Sequence, residues 1–463
     1  MLSILDRSRT IAPPGYNRFL VPPAALAVHL AIGQVYAFST FNLPLSKLIG
    51  ITRSAPDDWS LTQLGVIFSI AIAFLGISAA VCGRWVEEGG PRRAMFTSAL
   101  CFAGGFFVSA FGVAQHNIWL VYLGYGVLGG CGLGIGYISP VSTLIKWFPD
   151  RPGMATGMAI MGFGGGALIG APLSVLLMDH FKTATSLGVA ETFVTMGTLY
   201  FVFMMIGAAM VKLPPPGWAP AGYTPSAVAK KLVTSAHVHA DQAIRTRQFW
   251  LLWGVLCLNV TAGIGVLGQA SPMIQEMFPG HISAAAAGGF VGLLSLFNMG
   301  GRFVWSSASD YLGRRNTYMI YFALGIVVYL LVPTTGQLGS VLLFVAGFAI
   351  ILSMYGGGFA TVPAYLRDVF GTMHVGAIHG RLLTAWSTAG VLGPTLVNLI
   401  RQYQIDHGVA KADAYSVTMY IMAGLLALGF VCNYLMSPVD ARYHFRPGED
   451  GSKADPDRIL RGA

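Results

Sequence analysis

One residue in this chain is out of place for its surroundings. Arg302 follows Leu296, Phe297, Asn298, Met299, Gly300 and Gly301 and precedes Phe303, Val304 and Trp305, so it lies in an apolar run. None of the 19 Asp and Glu residues falls well inside such a run to neutralise it. A guanidinium withdrawn from water costs several kcal/mol when nothing offsets it. Its planar fork matches a carboxylate, which it can grip through two parallel hydrogen bonds. Arg302 is therefore the candidate substrate-binding cation. The plainer alternative is snorkelling. Arg302 is eight residues before Asp310, roughly 12 Å along a helix, and a long side chain can reach for headgroups.

Other apolar runs hold Gln34, Tyr36, Tyr137, Tyr355, Phe359 and Trp386 at comparable depth. Together they could wall a cavity with hydroxyl and amide donors around a small anion. Taken singly each is equally an ordinary packing residue, since aromatics are 12% of the chain. His29 is the one histidine clearly inside an apolar run. Imidazole chemistry suits proton coupling. A neutral histidine hydrogen-bonded to a neighbouring helix is the alternative.

The elements that must position these residues follow from composition. The 463 residues are 54% hydrophobic and 10% charged, against roughly 25% charged in a soluble domain. Such an excess of apolar surface has to face lipid. Runs long enough to cross a bilayer fall at 20–42, 61–83, 94–114, 118–145, 153–178, 191–212, 248–272, 284–308, 317–334, 338–365, 379–401 and 415–436. The expectation is an all-α membrane protein of twelve transmembrane helices in two pseudo-symmetric six-helix bundles. Residues 1–212 and 248–436 would form the bundles, 213–247 a cytoplasmic linker and 437–463 a cytoplasmic tail. The later half of the linker could form an interfacial amphipathic helix.

The +9 net charge could suggest nucleic acid, but its distribution argues otherwise. The segments and span ends on the side of the termini hold 22 Lys and Arg against 5 on the other side. That bias places both termini in the cytoplasm and accounts for the basic balance. A multi-pass protein of a bacterial inner membrane is expected, with lipid and a small carboxylate as its partners and no nucleic acid. The start of the chain does not read as a cleaved signal peptide, because its first apolar run is too long. The five cysteines sit in apolar runs without metal-ligand spacing, and no metal or cofactor is expected. The glycines from Gly129 to Gly136 and from Gly162 to Gly166 precede no Gly-Lys-Ser/Thr, so they read as close helix packing rather than a phosphate loop.

An internal repeat organises the chain. Gly83, Glu87, Gly90, Arg92 and Arg93 follow the second run, and Asp310, Gly313, Arg314 and Arg315 follow the eighth, at an offset of 222 to 223. Phe148 and Pro172 recur as Phe370 and Pro394 at an offset of 222. These acids end a helix, and the arginines lie across a glycine turn. The pairing available to them would latch the bundles together in one state and release them in another. A topogenic charge cluster at a turn is the alternative.

The glycine, acid and paired arginines from Gly83 to Arg93 resemble the loop signature of the major facilitator superfamily, with Glu87 where Asp is usual. The stretches Gly132 to Pro140, Lys146 to Gly157 and Asn298 to Arg302 are similar to the oxalate/formate antiporter family within it. That resemblance implies a substrate-binding arginine at Arg302 and aromatic walls from Tyr36, Tyr137, Tyr355 and Phe359. It also implies a monomer. One departure matters. Oxalate carriers of the family have a lysine in a Thr-Ala-Lys context, and this chain reads Thr384-Ala385-Trp386. Two cations suit a dianion and one suits a monoanion. The expected cargo is a monocarboxylate such as formate, lactate or pyruvate, moved by anion exchange or with a proton. Oxalate/formate exchange is the runner-up, and a non-transporting sensor on the same scaffold is the reading from another class. No nucleophile with its base appears in the runs, so no enzyme is expected.

Overall fold

The computed structural model describes residues 2–223, 232–234, 236–267, 269–411 and 413–445. Lys230, Lys231, Arg446, Lys453, Arg458 and Arg461, counted above in the charge distribution, lie outside the described residues.

Twelve long helical segments are described. They are α1 (Arg18–Leu45), α2 (Leu61–Gly89), α3 (Pro91–Ala114), α4 (Ile118–Trp147), α5 (Pro152–Phe181) and α6 (Val189–Met210). The second six are α7 (Arg247–Leu267), α8 (Ala284–Leu312), α9 (Arg314–Gln337), α10 (Val341–Phe370), α11 (Val375–Asp406) and α12 (Ser416–Tyr434). Eleven are long and apolar enough to cross a membrane. The other, α8, has 29 residues and carries Arg302.

Several helices run past the apolar spans read from sequence. α2 continues to Gly89, so Glu87 is its last turn. α11 starts at Val375, so His379 lies a full turn inside it rather than at its edge. α1 is α-helical only over Val21–Ile32 and tightens to a 3-10 helix over Gly33–Phe41. α4 widens into a π-helix over Tyr122–Gly129 before Gly130–Trp147, a local rearrangement common at functional positions. The run at 248–272 does not form one helix: α7 stops at Leu267 and Ala270–Met277 forms a separate short one. In the later linker, the described residues form a single helical turn, Ala240–Ala243, rather than a long amphipathic helix.

The repeat is closer in structure than in sequence. One shift of 223 residues carries Leu61–Gly89 onto Ala284–Leu312, Pro91–Ala114 onto Arg314–Gln337 and Ile118–Trp147 onto Val341–Phe370. The caps repeat with it. Ser60 and Ser283 each accept a backbone N–H three residues on, and Asn117 and Ser340 cap α4 and α10. Gly90 and Gly313 both turn at φ +83°, where a side chain would be strained.

The first and second six meet along two helix pairs, α5 with α8 and α2 with α11. Glycines permit the approach. A Cβ on Gly157 would overlap the Ser306 hydroxyl and lie 2.9 Å from the Arg302 carbonyl oxygen. One on Gly83 would lie 2.8 Å from the Ala377 Cα, and one on Gly380 would overlap the Ala79 carbonyl. On the face that carries the chain ends, the N-terminal segment pairs with the linker: Ala12 N–H donates to Leu213 and Leu213 N–H to Thr10, at 2.9 and 2.8 Å. Below, this is the terminal face, and the opposite side is the far face.

Candidate functional site

Arg302 is fully buried in α8. Its Nε donates to Asn298 Oδ1 at 3.2 Å, one helical turn back, and Nη1 lies 3.5 Å from the Ile160 carbonyl of α5. Nη2 has no partner. Among the described residues no carboxylate forms an ion pair with it. Snorkelling is therefore not its arrangement here: the guanidinium stays inside, between the rings of Phe359 and Phe163, 5.3 and 5.7 Å from their centres. Gly164 makes room for it, since a Cβ there would meet Arg302 Nε at 2.9 Å.

Around the guanidinium the aromatic rings close into a cage. Trp386 of α11 packs on Phe359 of α10, Phe163 of α5 and Tyr137 of α4, at 4.6, 5.3 and 5.4 Å. Tyr36 of α1 packs edge-on to Phe163 at 5.2 Å and lies 6.5 Å from Trp386. Its hydroxyl is 3.2 Å from that of Tyr355 in α10, a hydrogen bond between the two halves of the chain. Tyr137 Oη and Trp386 Nε1 are buried and, like Arg302 Nη2, make no hydrogen bond of ordinary length and angle, while the hydroxyls of Tyr137 and Tyr36 lie beside the guanidinium. Burying a donor unpaired is unfavourable by about 1–3 kcal/mol. Three such groups in one cage suit a ligand made of acceptors.

Of the residues singled out from sequence, Arg302, Tyr36, Tyr137, Tyr355, Phe359 and Trp386 come together. Gln34 does not join them. It is buried among the first six helices, where its Oε1 accepts from Tyr200 of α6 at 3.0 Å and its amide abuts Gly170. It lies two residues from Tyr36 on the same helix and faces away from the cage. His29 lies beside the cage, its ring 5.3 Å from Tyr137. Phe163 and His379 belong to the site and were not singled out. Phe163 is hidden in a glycine-rich stretch, yet Trp386 is its repeat partner at the 223-residue shift. His379 is buried, its ring 5.8 Å from Tyr137 and its Nε2 unpartnered.

The acids of the repeated loops cap helices of the other half. Glu87 Oε1 accepts from Gly376 N–H at the start of α11, at 2.9 Å. Asp310 accepts from Gly153 and Met154 N–H at the start of α5, at 2.8 and 2.9 Å. A carboxylate at a helix N-terminus satisfies orphan donors and complements the helix dipole. Glu87 is also paired with Lys146 at 2.6 Å. Asp310 is paired with Arg314 at 2.5 Å, and Arg314 reaches Asp368 at 3.3 Å. Arg92 does not pair with Glu87. It donates to the carbonyls of Ala208 and Ala209 at the end of α6, as Arg315 does to Tyr434 at the end of α12. Arg93 stacks over Trp85.

Residues 17–394 and 281–460 match the family profile described as Major Facilitator Superfamily. The chain belongs to that superfamily. It is thus a multi-pass membrane transporter and not an enzyme. This superfamily member is 28% identical to the oxalate:formate antiporter of Oxalobacter formigenes, over 82% of its length and 84% of that protein. It is 25% identical to apicoplast pyruvate carrier 1 of Toxoplasma gondii, over 84% and 78%. Its fold matches the superfamily transporter FucP in the outward conformation with a TM-score of 0.66, at 15% identity, covering 91% of this chain and all of that one.

Proposed function

We propose that this transporter carries small monocarboxylates of the formate, lactate or pyruvate class by alternating access, with Arg302 binding the carboxylate. The observation that carries the reading is the buried guanidinium with a free Nη2 and no carboxylate partner. Tyr137 Oη and Trp386 Nε1 are further donors for the same anion, and Tyr36, Tyr355, Phe359 and Phe163 wall it off from water. Desolvation strengthens such a bidentate contact. Trp386, donor-only and uncharged, gives a dianion no second cation. Similarity to an oxalate:formate antiporter favours oxalate/formate exchange as the second reading, and a pyruvate carrier among the relatives favours the first.

In this reading residues 1–212 and 248–436 move against each other, 213–247 link them, and the terminal face is cytoplasmic. Glu87 and Asp310, each capping a helix of the other half and paired with Lys146 and Arg314, latch that face shut, with Gly83 allowing the close approach; Arg92, Arg93 and Arg315 instead brace their own halves, beside the turn at Gly90. The far face then opens while the latch holds.

Counterflow in proteoliposomes tests the reading. Labelled pyruvate, lactate or formate should exchange with its unlabelled form, and Arg302→Ala should abolish this. Strong oxalate exchange that no monocarboxylate competes with would transfer the assignment to the second reading. No counterflow of any carboxylate, with wild type folded, would overturn the carboxylate assignment.

A further inference from the structure

On the terminal face a cavity of about 340 Å³ lies where the first half, the linker and the second half meet, and it shares no lining residue with the aromatic cage. Its charged wall comes mainly from the first half. Arg84 of α2 pairs with Glu88 through Nε at 2.8 Å, which leaves its Nη groups unused. Lys146 of α4 spends one N–H on Glu87 Oε2 at 2.6 Å, and the other Glu87 oxygen is taken by Gly376 N–H. Arg7 of the N-terminal segment adds a further cation to the lining. From the second half comes His374, the residue just before α11. Its Nδ1 accepts from Ala240 N–H at 3.3 Å. Burial lowers its imidazole to about 4, so the ring is neutral and its one N–H sits on Nε2. The hydrogen-bonding capacity left over in this wall is thus mostly donors.

The opposite wall is apolar and stiff. Leu213 leads into Pro214, Pro215 and Pro216, and Trp218 follows, its indole edge-on to Trp147 at 4.8 Å. Proline rings fix the backbone and present an apolar surface that suits an aromatic ring. The volume stands at the lower end of pockets that enclose a drug-sized molecule, roughly 300–1,000 Å³. A three-carbon acid would leave most of it empty.

We propose that this cavity is a regulatory site for an aromatic organic anion, which holds the terminal face closed while it is bound. The inference rests on the alternating access proposed above, but not on the identity of the cargo. Arg84 and Lys146 stand on one half and His374 on the other, so parting α2 from α11 takes the walls of the cavity apart. A ligand that touches both walls binds the closed form better and shifts the population toward it by that difference in affinity. The anion meets the donors of Arg84, Lys146 and His374, and the ring lies against the prolines and Trp218. Cargo in the cage does not compete for this place, so raising its concentration does not relieve the inhibition.

The experiment uses the full chain, with 1-naphthoate and 1-naphthyl phosphate as the probes. Titration calorimetry in detergent should find one probe bound per chain, and equally in Arg302→Ala, where the cage has lost its cation. Arg84→Glu and Trp218→Ser should each weaken binding at least tenfold. Spin labels at Arg151 and Tyr311, exposed and on opposite halves, should shift toward the closed separation when either probe is added. In proteoliposomes a probe on the terminal face should slow pyruvate counterflow at least tenfold at any pyruvate concentration. Binding that disappears in Arg302→Ala would place the probe in the cage and overturn the inference. Binding unchanged in both cavity variants, or binding without a change in label separation, would also overturn it. So would displacement of the probe by dihexanoyl phosphatidylglycerol, which would give the site to a lipid headgroup. No probe binding by a wild type that still exchanges pyruvate would overturn this inference alone. Probe binding with closure in a carrier that exchanges no carboxylate would uphold it and remove the cargo reading. Wild-type binding and closure need no variant, so misfolding of a substituted chain does not protect the idea.

Discussion

The two halves of the molecule agree at the loops of the terminal face and differ at the aromatic cage. At the 223-residue shift Glu87 answers to Asp310, and the amide it caps, Gly376, answers to Gly153, the amide Asp310 caps. Arg92 and Arg315 close the ends of α6 and α12 alike. At the cage the correspondence fails. Arg302 answers to Ala79, Tyr36 to Asn259, and Trp386 to Phe163. An arginine at position 79 as well would put a second cation on the other helix pair of the join. A single arginine leaves one positive charge, which one carboxylate neutralises. In the proposed reading the duplicated positions thus serve the latch, and the unmatched ones bind the carboxylate.

The largest expected effect comes from removing the asymmetry. Arg302→Ala should weaken monocarboxylate binding by about 100-fold or more, as loss of a buried charge-assisted pair implies. Arg302→Lys should recover only part of it, because an ammonium is a point donor without the fork. Titration calorimetry in detergent measures both. Equal affinity in the lysine variant would show that bidentate geometry is not what the site uses.

Next come the glycines that let the halves meet. A Cβ at Gly153 would lie 2.9 Å from Asp310 Oδ1 and overlap Ser306, and one at Gly376 would overlap Glu87 and lie 3.0 Å from the Ser142 Cβ. Gly153→Val and Gly376→Val should each hold the terminal face apart. Spin labels at Glu88 and Tyr311, both exposed, should report a longer separation, and exchange should slow at least tenfold. If only one of the pair separates the labels, the equivalence of the two latches fails.

How much of this was legible beforehand differs by level. The helices were, because lipid demands long apolar runs, and so was the repeat, because its acids and paired arginines are rare residue types in such a chain. Arg302 stood out for the same reason. Phe163 did not, since a lone phenylalanine in an apolar helix carries no signal until its repeat partner Trp386 is matched to it. Gln34 misled in the other direction: depth in α1 was readable, but azimuth was not, because the helix tightens at Gly33–Phe41 and turns the amide to Tyr200. Lys146, as the partner of Glu87, was masked by the adjacent Arg92 and Arg93, which instead serve the end of α6 and stack over Trp85.

The two helix caps between the halves also differ in strength, which gives a smaller effect. Asp310 holds two amides and Arg314, whereas Glu87 holds one amide and Lys146. Asp310→Asn should therefore destabilise the closed terminal face by about 2–3 kcal/mol and Glu87→Gln by about 1–2. The order can be read from label separation in the two variants. A larger opening in Glu87→Gln would invert the comparison.

The smallest effect tests a tie that the halves make with opposite polarity. Arg18 opens α1 and forms a two-pronged pair with Asp150 at 2.6 and 2.9 Å. Its repeat counterpart is Asp241, which pairs with Arg381 of α11. Partial burial raises the Asp150 carboxyl, but the Arg18 hydrogen bonds outweigh it and hold it below its ordinary value. The hydrogen bond from Arg381 does the same for Asp241. A carboxylate depressed in the folded state contributes stability that is fully present above its unfolded value, about pH 4, and is lost as pH falls through the folded value. Both ties should therefore leave the melting temperature in detergent unaffected between pH 7 and pH 5 and lower it below pH 4. Asp150→Asn should remove part of that acid sensitivity. Asp241→Asn should remove less, because its side chain is 51% exposed and solvent screens the pair. If each variant melts below wild type by the same margin at pH 7 and at pH 3.5, the carboxylates hold their helices by shape rather than charge, and reversing the polarity between halves has no electrostatic meaning.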